Sequence, residues 1–549
     1  MIASNTSKAL LKRPVFPVRL SPRGWSARVL CRWTLAGLLL ACCALCPAQE
    51  QSASKTTHIS AAEANQLFSL IDQILQFSSQ ESGLPVQGAV KHKLIKRSEV
   101  ESYLKKKMAE DQDAQRLESS EIVLKKLGYL DRDFELKPFL LALLTEEIEA
   151  FYDSKTKSIS LLDWVALDEQ KPVLAHELTH ALQDQHVGMD KWMDQTPADV
   201  SSEAAGDRDH VRRDEMDTAR EAVAEGQATA VMLQYILKPM GKSLTGDPEV
   251  VETIRDKMDS PGDSPLMARA PLLLSESMLF PYRDGLMFTQ DLWMDQGRQA
   301  AFAGALDRPP ASSWEILNPR FYENRQQPPV PLLPNIHPLV DGLYKPYDIG
   351  QMGQLDVHIL NQLLGGEQAD GELTPAWDGG IYWAGQLRTA RTAAEQNSTQ
   401  YIALFYLSSW KSAEAAAAFA ELYAEGLGRK YSGLKPLQAA ADPARNSADE
   451  ELLFSTSEGT MVIITRGTQV FVAESFDLPL ARKLGALLLD AQGSGAVRTA
   501  EAAPASAMPE ADAAAPRESL SSTLVRFLSG CGVTRSAVQA IRQSAKELQ

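Results

Sequence analysis

One short stretch of this sequence carries residues that can bind and use a metal ion. His176, Glu177 and His180 form the pattern H-E-x-x-H within the segment 171–186. On an α-helix, the two histidines lie one turn apart on the same face and can bind a single cation. Two imidazoles and one carboxylate suit zinc, and Glu177 can act as a general base toward a water molecule that the metal activates. The pattern therefore predicts a zinc-dependent hydrolytic site.

The residues around this pattern favour a helix. Leu174, Leu178 and Leu182 recur at helical spacing and would form one apolar face. Pro172 is the only proline in the segment 171–186, which has no glycine. We expect it in the first turn, where a proline is tolerated because the first N–H groups of a helix have no partner within it.

The sequence offers two interpretations of the third metal ligand. His186 has the spacing of the metzincin pattern H-E-x-x-H-x-x-G-x-x-H, but Gln183 stands where that pattern needs glycine. A helix that continues past Gln183 carries His186 away from the metal. A second predicted helix, 220–235, offers Glu225 among small apolar neighbours, where a carboxylate is costly unless it is paired or binds a metal. Glu225 is therefore the predicted ligand, and Glu221, one turn earlier, is the alternative.

Three further residues are candidates for supporting roles. Asp184 lies one turn after His180 and is a candidate hydrogen-bond partner for it, with an exposed helical position as the alternative. Tyr282 and Arg283 follow Pro281, where we expect a helix to begin. Either side chain could stabilise an oxyanion opposite the metal, whereas helix packing is the simpler explanation for both.

These motifs resemble those of the gluzincin group of zinc metallopeptidases, in which a helix bearing E-G-x-A supplies a glutamate ligand. A-E-G-Q-A at 224–228 matches that motif, and the resemblance gives this role to Glu225. More narrowly, several segments resemble a group of exported bacterial H-E-x-x-H proteins that are mostly unassigned: F-Y-D-S-K-T, A-H-E-L-T-H-A-L-Q-D-Q, A-E-G-Q-A, F-P-Y-R-D-G-L-M-F and P-P-A-S-S-W-E-I-L-N-P. The sequence departs from the thermolysin-like pattern at Thr229, where an acid is expected, and in its longer gap between His180 and Glu225. The resemblance implies zinc and peptide-bond hydrolysis.

The whole chain of 549 residues is too long for a single core and has a formal net charge of −16. This charge argues against nucleic acid or an anionic membrane as the natural partner, and a peptide or protein substrate is expected. Residues 1–48 combine a basic region with the short apolar run 33–45, which is typical of a signal peptide. We therefore predict an exported protein, periplasmic or secreted, without a stable transmembrane domain after cleavage; a lipoprotein anchor is the alternative. Four of the five cysteines lie in this signal, and Cys531 is interpreted as a tail residue.

The predicted fold class is α+β. A mainly helical, zincin-like metallopeptidase domain with a small hairpin or sheet next to the metal helix precedes a smaller antiparallel α+β domain. The hairpin is expected near 150–159, and its open edge could pair with an extended substrate. The predicted divisions are a signal peptide (1–48), a metallopeptidase-like domain (56–346), an α+β accessory domain (347–493), an Ala/Pro-rich linker (494–518) and a helical tail (519–549).

Two other functions are compatible with the same sequence. The chain could be a zinc hydrolase of another amide or ester. It could also be a catalytically inactive envelope binding or scaffold protein that retains the H-E-x-x-H helix. The residues of the α+β region contain no metal-ligand spacing, phosphate loop or nucleophile motif that would favour a different activity.

Overall fold

The computed structural model describes residues 58–110, 112–195, 201, 203–258, 264–438, 446–493, 521–529 and 532–547. Helices predominate, and two separate sheets complete an α+β structure, as predicted. The predicted signal peptide, the predicted linker and Cys531 lie outside the described residues. None of the helices in the described residues is both long and apolar enough to cross a membrane.

Among the described residues, helices predominate before residue 344 and alternate with strands after it. In chain order the α-helices of the described residues are α1 (Ala61–Phe68), α2 (Ile71–Ser82), α3 (Arg97–Glu110), α4 (Gln112–Leu127), α5 (Leu136–Glu147), α6 (Leu167–Val187), α7 (Met189–Met193), α8 (Ala204–Arg213), α9 (Met216–Leu237), α10 (Glu249–Met258), α11 (Leu272–Gln296), α12 (Ala305–Asp307), α13 (Ser313–Leu317), α14 (Pro319–Glu323), α15 (His337–Val340), α16 (Gln354–Leu373), α17 (Ala393–Gln396), α18 (Ala413–Lys430), α19 (Leu478–Ala491), α20 (Ser522–Ser529) and α21 (Arg535–Glu547).

The helix α6 carries the H-E-x-x-H residues. Gln170 holds its start in place by donating hydrogen bonds of 2.9 and 2.6 Å to carbonyls of the preceding turn and strand. Gly188 ends the helix in the left-handed conformation, with φ of 71° and its N–H bonded to the Asp184 carbonyl. Because α6 begins at Leu167, Pro172 lies in the second turn, and its predicted place in the first turn was wrong.

The helix α9 crosses α11 at two glycines. A Cβ atom on Gly226 would lie 2.1 Å from the carbonyl carbon and oxygen of Gly285. A Cβ atom on Gly285 would lie 2.1 Å from the carbonyl oxygen of Ala222. The two backbones are therefore in direct contact, which only glycine allows, and this contact fixes the position of α9 one residue after Glu225.

The start of α11 differs from the sequence prediction. We expected a helix to begin near Pro281, but α11 begins at Leu272 and contains Pro281 in its interior. Leu273, Leu274 and Phe280, which all precede the expected start, are fully buried. Their packing outweighs the cost of the hydrogen bond that the proline removes.

The smaller sheet lies next to α6 and has the strand order β1-β3-β2-β11. Its strands are β1 (Lys91–Ile95), β2 (Ile148–Asp153), β3 (Ser158–Leu162) and β11 (Val533–Thr534). The predicted hairpin is confirmed as β2 and β3, which pair antiparallel and lead into α6. The sequence did not predict the outer strands, parallel β1 and antiparallel β11.

The larger sheet is antiparallel and forms the α+β region. Its order is β4-β5-β6-β10-β9-β8-β7, with strands β4 (Tyr344–Gln351), β5 (Trp377–Leu387), β6 (Ile402–Trp410), β7 (Lys435–Pro436), β8 (Glu450–Thr456), β9 (Gly459–Arg466) and β10 (Gln469–Glu474). Alternation along β6 places Tyr406 toward α18 and Phe405 toward the side that α19 covers. The predicted domain limits at 346 and 493 remain predictions, and one apolar core continues from the helical region to the α18 face of this sheet.

The C-terminal residues return to the helical region. The helix α20 packs against α9 and α11, and α21 packs against α10. Leu528, Val538 and Ile541 are buried in the same core as the helices around α6. The predicted tail therefore contains helices, and they are part of the core.

Candidate metal site

Three of the predicted residues converge at the contact between α6 and α9. His176 and His180 lie on one face of α6, and their Nε2 atoms are 3.0 Å apart. Oε2 of Glu225, from α9, lies 3.0 Å from Nε2 of His176 and 3.4 Å from Nε2 of His180. Within the described part of the chain, these residues form the one group of histidines, cysteines and acids that could hold a metal ion.

The spacing of the three donor atoms fits a tetrahedral metal. Two ligands that each lie roughly 2.0–2.1 Å from a tetrahedral zinc ion are about 3.3 Å apart. The observed separations of 3.0–3.4 Å match this value without any rearrangement of the side chains. Two imidazoles and a carboxylate are also the donor set of many catalytic zinc sites, in which a fourth position stays open.

The charges of the three ligands depend strongly on one another. Burial opposes a charge on His180, but Glu225 outweighs it and raises the pKa of His180 to about 9. Burial likewise opposes a charge on Glu225, but the two histidines lower its pKa to about 2. Burial is the main cause of the lowered pKa of His176. The protein thus gathers one carboxylate and two imidazoles around a position that favours positive charge.

Glu177 lies beside the ligands but outside their group. Its side chain is 1% exposed, and burial raises its pKa to about 8. The backbone N–H groups of Tyr152 and Val533 face this carboxylate and partly offset the effect of burial on the pKa. Neither makes a hydrogen bond of normal geometry with it, and both carboxylate oxygens lack a partner among the described residues. A buried acid with free oxygens next to the ligands is suited to exchange a proton with a bound molecule.

Tyr282 belongs to the site, whereas Arg283 does not. The ring of Tyr282 stacks on that of His176, with centroids 6.1 Å apart. Burial and the nearby acids Glu225 and Glu177 raise the pKa of Tyr282, which keeps its hydroxyl protonated. The Arg283 guanidinium instead binds Glu276 at 2.9 Å and also pairs with the adjacent Asp284. Of the two predicted oxyanion donors, only Tyr282 lies beside the three converging residues.

Gln183 holds His180 in the orientation that a metal ligand needs. Its Nε2 atom donates to the Ala224 carbonyl and to Oε1 of Gln227, each at 2.9 Å. Its oxygen therefore faces Nδ1 of His180 at 2.8 Å, and this ring nitrogen carries the proton. Nε2 of His180 is then free to bind the metal. Gln183, which stands where the metzincin pattern needs glycine, thus links α6 to α9.

Asp184 is neither the partner of His180 nor an exposed residue, the two alternatives that the sequence offered, because it is 4% exposed and bonded to other residues. It accepts hydrogen bonds from the hydroxyl of Tyr152 at 2.7 Å and from the Lys157 ammonium at 2.5 Å. Both partners belong to the β2–β3 hairpin, so Asp184 fastens the hairpin to α6. Asp184 is one residue further round the helix than Gln183 and faces the hairpin, whereas Gln183 reaches Nδ1 of His180.

Neither His186 nor Glu221, the two alternative third ligands, belongs to the group of converging donor atoms. Nε2 of His186 lies 2.9 Å from Oδ1 of Asp307. The helix α6 continues to Val187 and carries His186 away from the ligands, as expected for a chain with Gln183. Glu221 is buried on α9 but is not among the three side chains whose donor atoms converge.

Comparison with known proteins identified no relative of this chain. No protein-family model matches the chain, and no significant match was found among curated proteins or among solved structures. The functional argument therefore depends on the residues of the site.

Proposed function

We propose that this chain is an exported, zinc-dependent peptidase that uses His176, His180 and Glu225 as metal ligands and Glu177 as general base. The proposal depends chiefly on one observation: three buried donor atoms lie 3.0–3.4 Å apart beside a fourth acid whose oxygens have no partner among the described residues. An α-helix pairs the histidines, and the glycine contact of α9 with α11 sets the position of the glutamate.

Each residue has a distinct part in the proposed reaction. When bound, zinc supplies a Lewis acid that lowers the pKa of water and polarises a carbonyl. Glu177 accepts the proton of the attacking water and passes it to the leaving amine. The hydroxyl of Tyr282 donates a hydrogen bond to the carbonyl oxygen as negative charge develops there. Gln183 holds His180, and thereby keeps the ligand geometry unchanged during the reaction.

A peptide is the proposed substrate because a strand edge adjoins the site. The N–H of Tyr152 in β2 faces the Glu177 carboxylate, so a chain that pairs with β2 passes next to the acid. Extended peptides commonly bind by adding a strand to such an edge. Other amides and esters lack a backbone that can pair in this way.

A second candidate is a metal-binding scaffold protein without turnover. The observation that favours it is enclosure, since His176 has no exposed surface and Glu177 and Glu225 are 1% and 4% exposed. A hydrolase must admit a substrate, whereas a structural metal site need not be open.

Substitution of Glu177 distinguishes these candidates. We expect the purified full chain to hold about one zinc ion and to cleave a mixed peptide library. Glu177→Gln should keep the zinc and lose at least about a hundredfold in turnover, because it removes the proton acceptor without removing a ligand. Asp168→Asn, on the exposed start of the same helix, is the matched control and should behave like wild type. Equal turnover in wild type and Glu177→Gln would refute the proposed role.

A further inference from the structure

A short segment near the C-terminus occupies the strand edge beside the candidate metal site. The strand β11 pairs antiparallel with β2, with Val533 opposite Ala150 and Thr534 opposite Ile148. Since β3 covers the other edge of β2, β11 takes the one edge at which a further chain could pair. This is the edge that a peptide substrate would need.

One peptide group of this segment faces the catalytic candidates with both its carbonyl and its N–H. The carbonyl oxygen of Gly532 accepts a hydrogen bond of 3.3 Å from the Tyr282 hydroxyl. The N–H of Val533, which belongs to the same peptide bond, faces the Glu177 carboxylate. A substrate peptide bond would present its carbonyl to an oxyanion donor and its nitrogen to the general base in the same manner.

Gly532 is required for this close approach. Its φ is 116°, a conformation that residues with a side chain rarely adopt. A Cβ atom at this position would lie 2.1 Å from the carbonyl oxygen of Ala150 and 2.6 Å from Cβ of Phe151. Any larger residue would therefore push the segment off β2.

Polar contacts outside the strand hold the segment in place. The N–H of Ser536, at the start of α21, donates to the Glu147 carboxylate at 2.9 Å. Arg542 lies 3.4 Å from Glu149, a residue of β2. Together with the buried faces of α20 and α21, these contacts position β11 independently of any metal ion.

We propose that residues 532–534 are an internal inhibitory peptide that occupies the substrate position, and that the substrate is an extended peptide that must replace them. The inference rests on the proposed function. Two chains cannot pair with the same edge of β2, so substrate binding requires β11 to leave. Release of three residues between two anchored helices opens the edge without loss of the buried faces of α20 and α21. The enclosure of the metal ligands is then a property of the inhibited state.

The test compares full-length variants that displace the strand while leaving both helices intact. Gly532→Ala introduces the clash with Ala150, and Val533→Pro removes the N–H that faces Glu177 and places a proline within the strand, where it disfavours pairing. Gly467→Ala is the control, because Gly467 also has a positive φ, of 57°, but no atom lies within 4 Å of the added Cβ. Each protein is loaded with zinc, and two quantities are measured: hydrogen exchange of residues 148–153 and cleavage of a mixed peptide library.

We expect both strand variants to exchange faster at 148–153 and to cleave peptides roughly ten- to hundredfold faster than wild type, a range set by the typical strain at such a backbone position. The control should match wild type. Unchanged exchange in both strand variants, or faster exchange with unchanged cleavage, would overturn the inhibitory role while leaving the proposed peptidase intact. Faster exchange with zinc bound but no cleavage by any of the proteins would instead overturn the proposed function, and the substrate assignment with it.

Discussion

Replacing Gln183 with leucine should weaken metal binding although Gln183 is not a ligand. The substitution conserves the shape of the side chain but removes its amide. Nδ1 of His180 then loses its acceptor at 2.8 Å, and Oε1 of Gln227 loses its donor at 2.9 Å. The Ala224 carbonyl is less affected, because it also belongs to the hydrogen-bond ladder of α9.

The loss of stability in Gln183→Leu follows from the two atoms left unpaired, Nδ1 of His180 and Oε1 of Gln227. Gln227 has no exposed surface and the side chain of His180 is only 12% exposed, so water is largely kept from the two unpaired atoms. Each buried polar group without a partner costs about 1–3 kcal/mol, so the two together give a loss of about 2–6 kcal/mol in the free energy of unfolding. Zinc affinity should fall about 10- to 100-fold, the usual result of removing a hydrogen bond that orients a ligating histidine.

Two measurements check these values. Denaturant unfolding of the metal-free protein gives the change in stability, and competition with a chromophoric chelator gives the zinc affinity. Gln185→Leu is the matched control on the same helix, since its amide accepts bonds from the backbone of Gln87 and Gly88 at the surface. Zinc affinity equal to that of wild type in Gln183→Leu would refute the idea that this amide fixes the ring of His180.

Two further predictions concern the fold around the site. Gly226→Ala should lower the free energy of unfolding by about 1–3 kcal/mol or more, because the added Cβ meets the Gly285 backbone at 2.1 Å, whereas Gly371→Ala, in an open helical position, should be neutral or stabilising by thermal denaturation. Burial raises the pKa of Glu215 to about 8, so the folded state retains a proton that the unfolded chain releases near pH 4.5. Its contribution to the free energy of unfolding should therefore fall as pH rises between these values, by up to about 1.4 kcal/mol per pH unit. Denaturant unfolding at several pH values should show a flatter slope for Glu215→Gln. An unchanged slope would contradict the raised pKa of Glu215.

The features that were predicted correctly are those that neighbouring residues specify. The period of Leu174, Leu178 and Leu182 indicates a helix, and that helix alone determines that His176 and His180 share a face. The hairpin β2–β3 follows from two short extended runs around a tight turn. The small neighbours of Glu225 indicated a buried carboxylate, and burial in turn indicated that it needed a partner.

The features that were missed depend on contacts between distant parts of the chain. Nothing in the local pattern around Val533 indicates that two residues would pair with a strand almost four hundred positions earlier. The role of Gln183 required knowledge of which side of α6 faces α9, since one residue further along, Asp184 faces the hairpin instead. The predicted helix start near Pro281 was wrong for the same reason. The packing of α11 against α9 outweighs the local preference of proline for a helix start.

Metal content measured in two glutamate variants tests the central claim most directly. Glu225→Gln and Glu221→Gln change one acid each, one helical turn apart on the same buried side of α9. We predict about one zinc ion per chain in wild type and in Glu221→Gln, and loss of most of the zinc in Glu225→Gln, by elemental analysis of the folded, purified proteins. Full zinc content in Glu225→Gln would contradict the ligand set of His176, His180 and Glu225, and with it the proposed hydrolytic site.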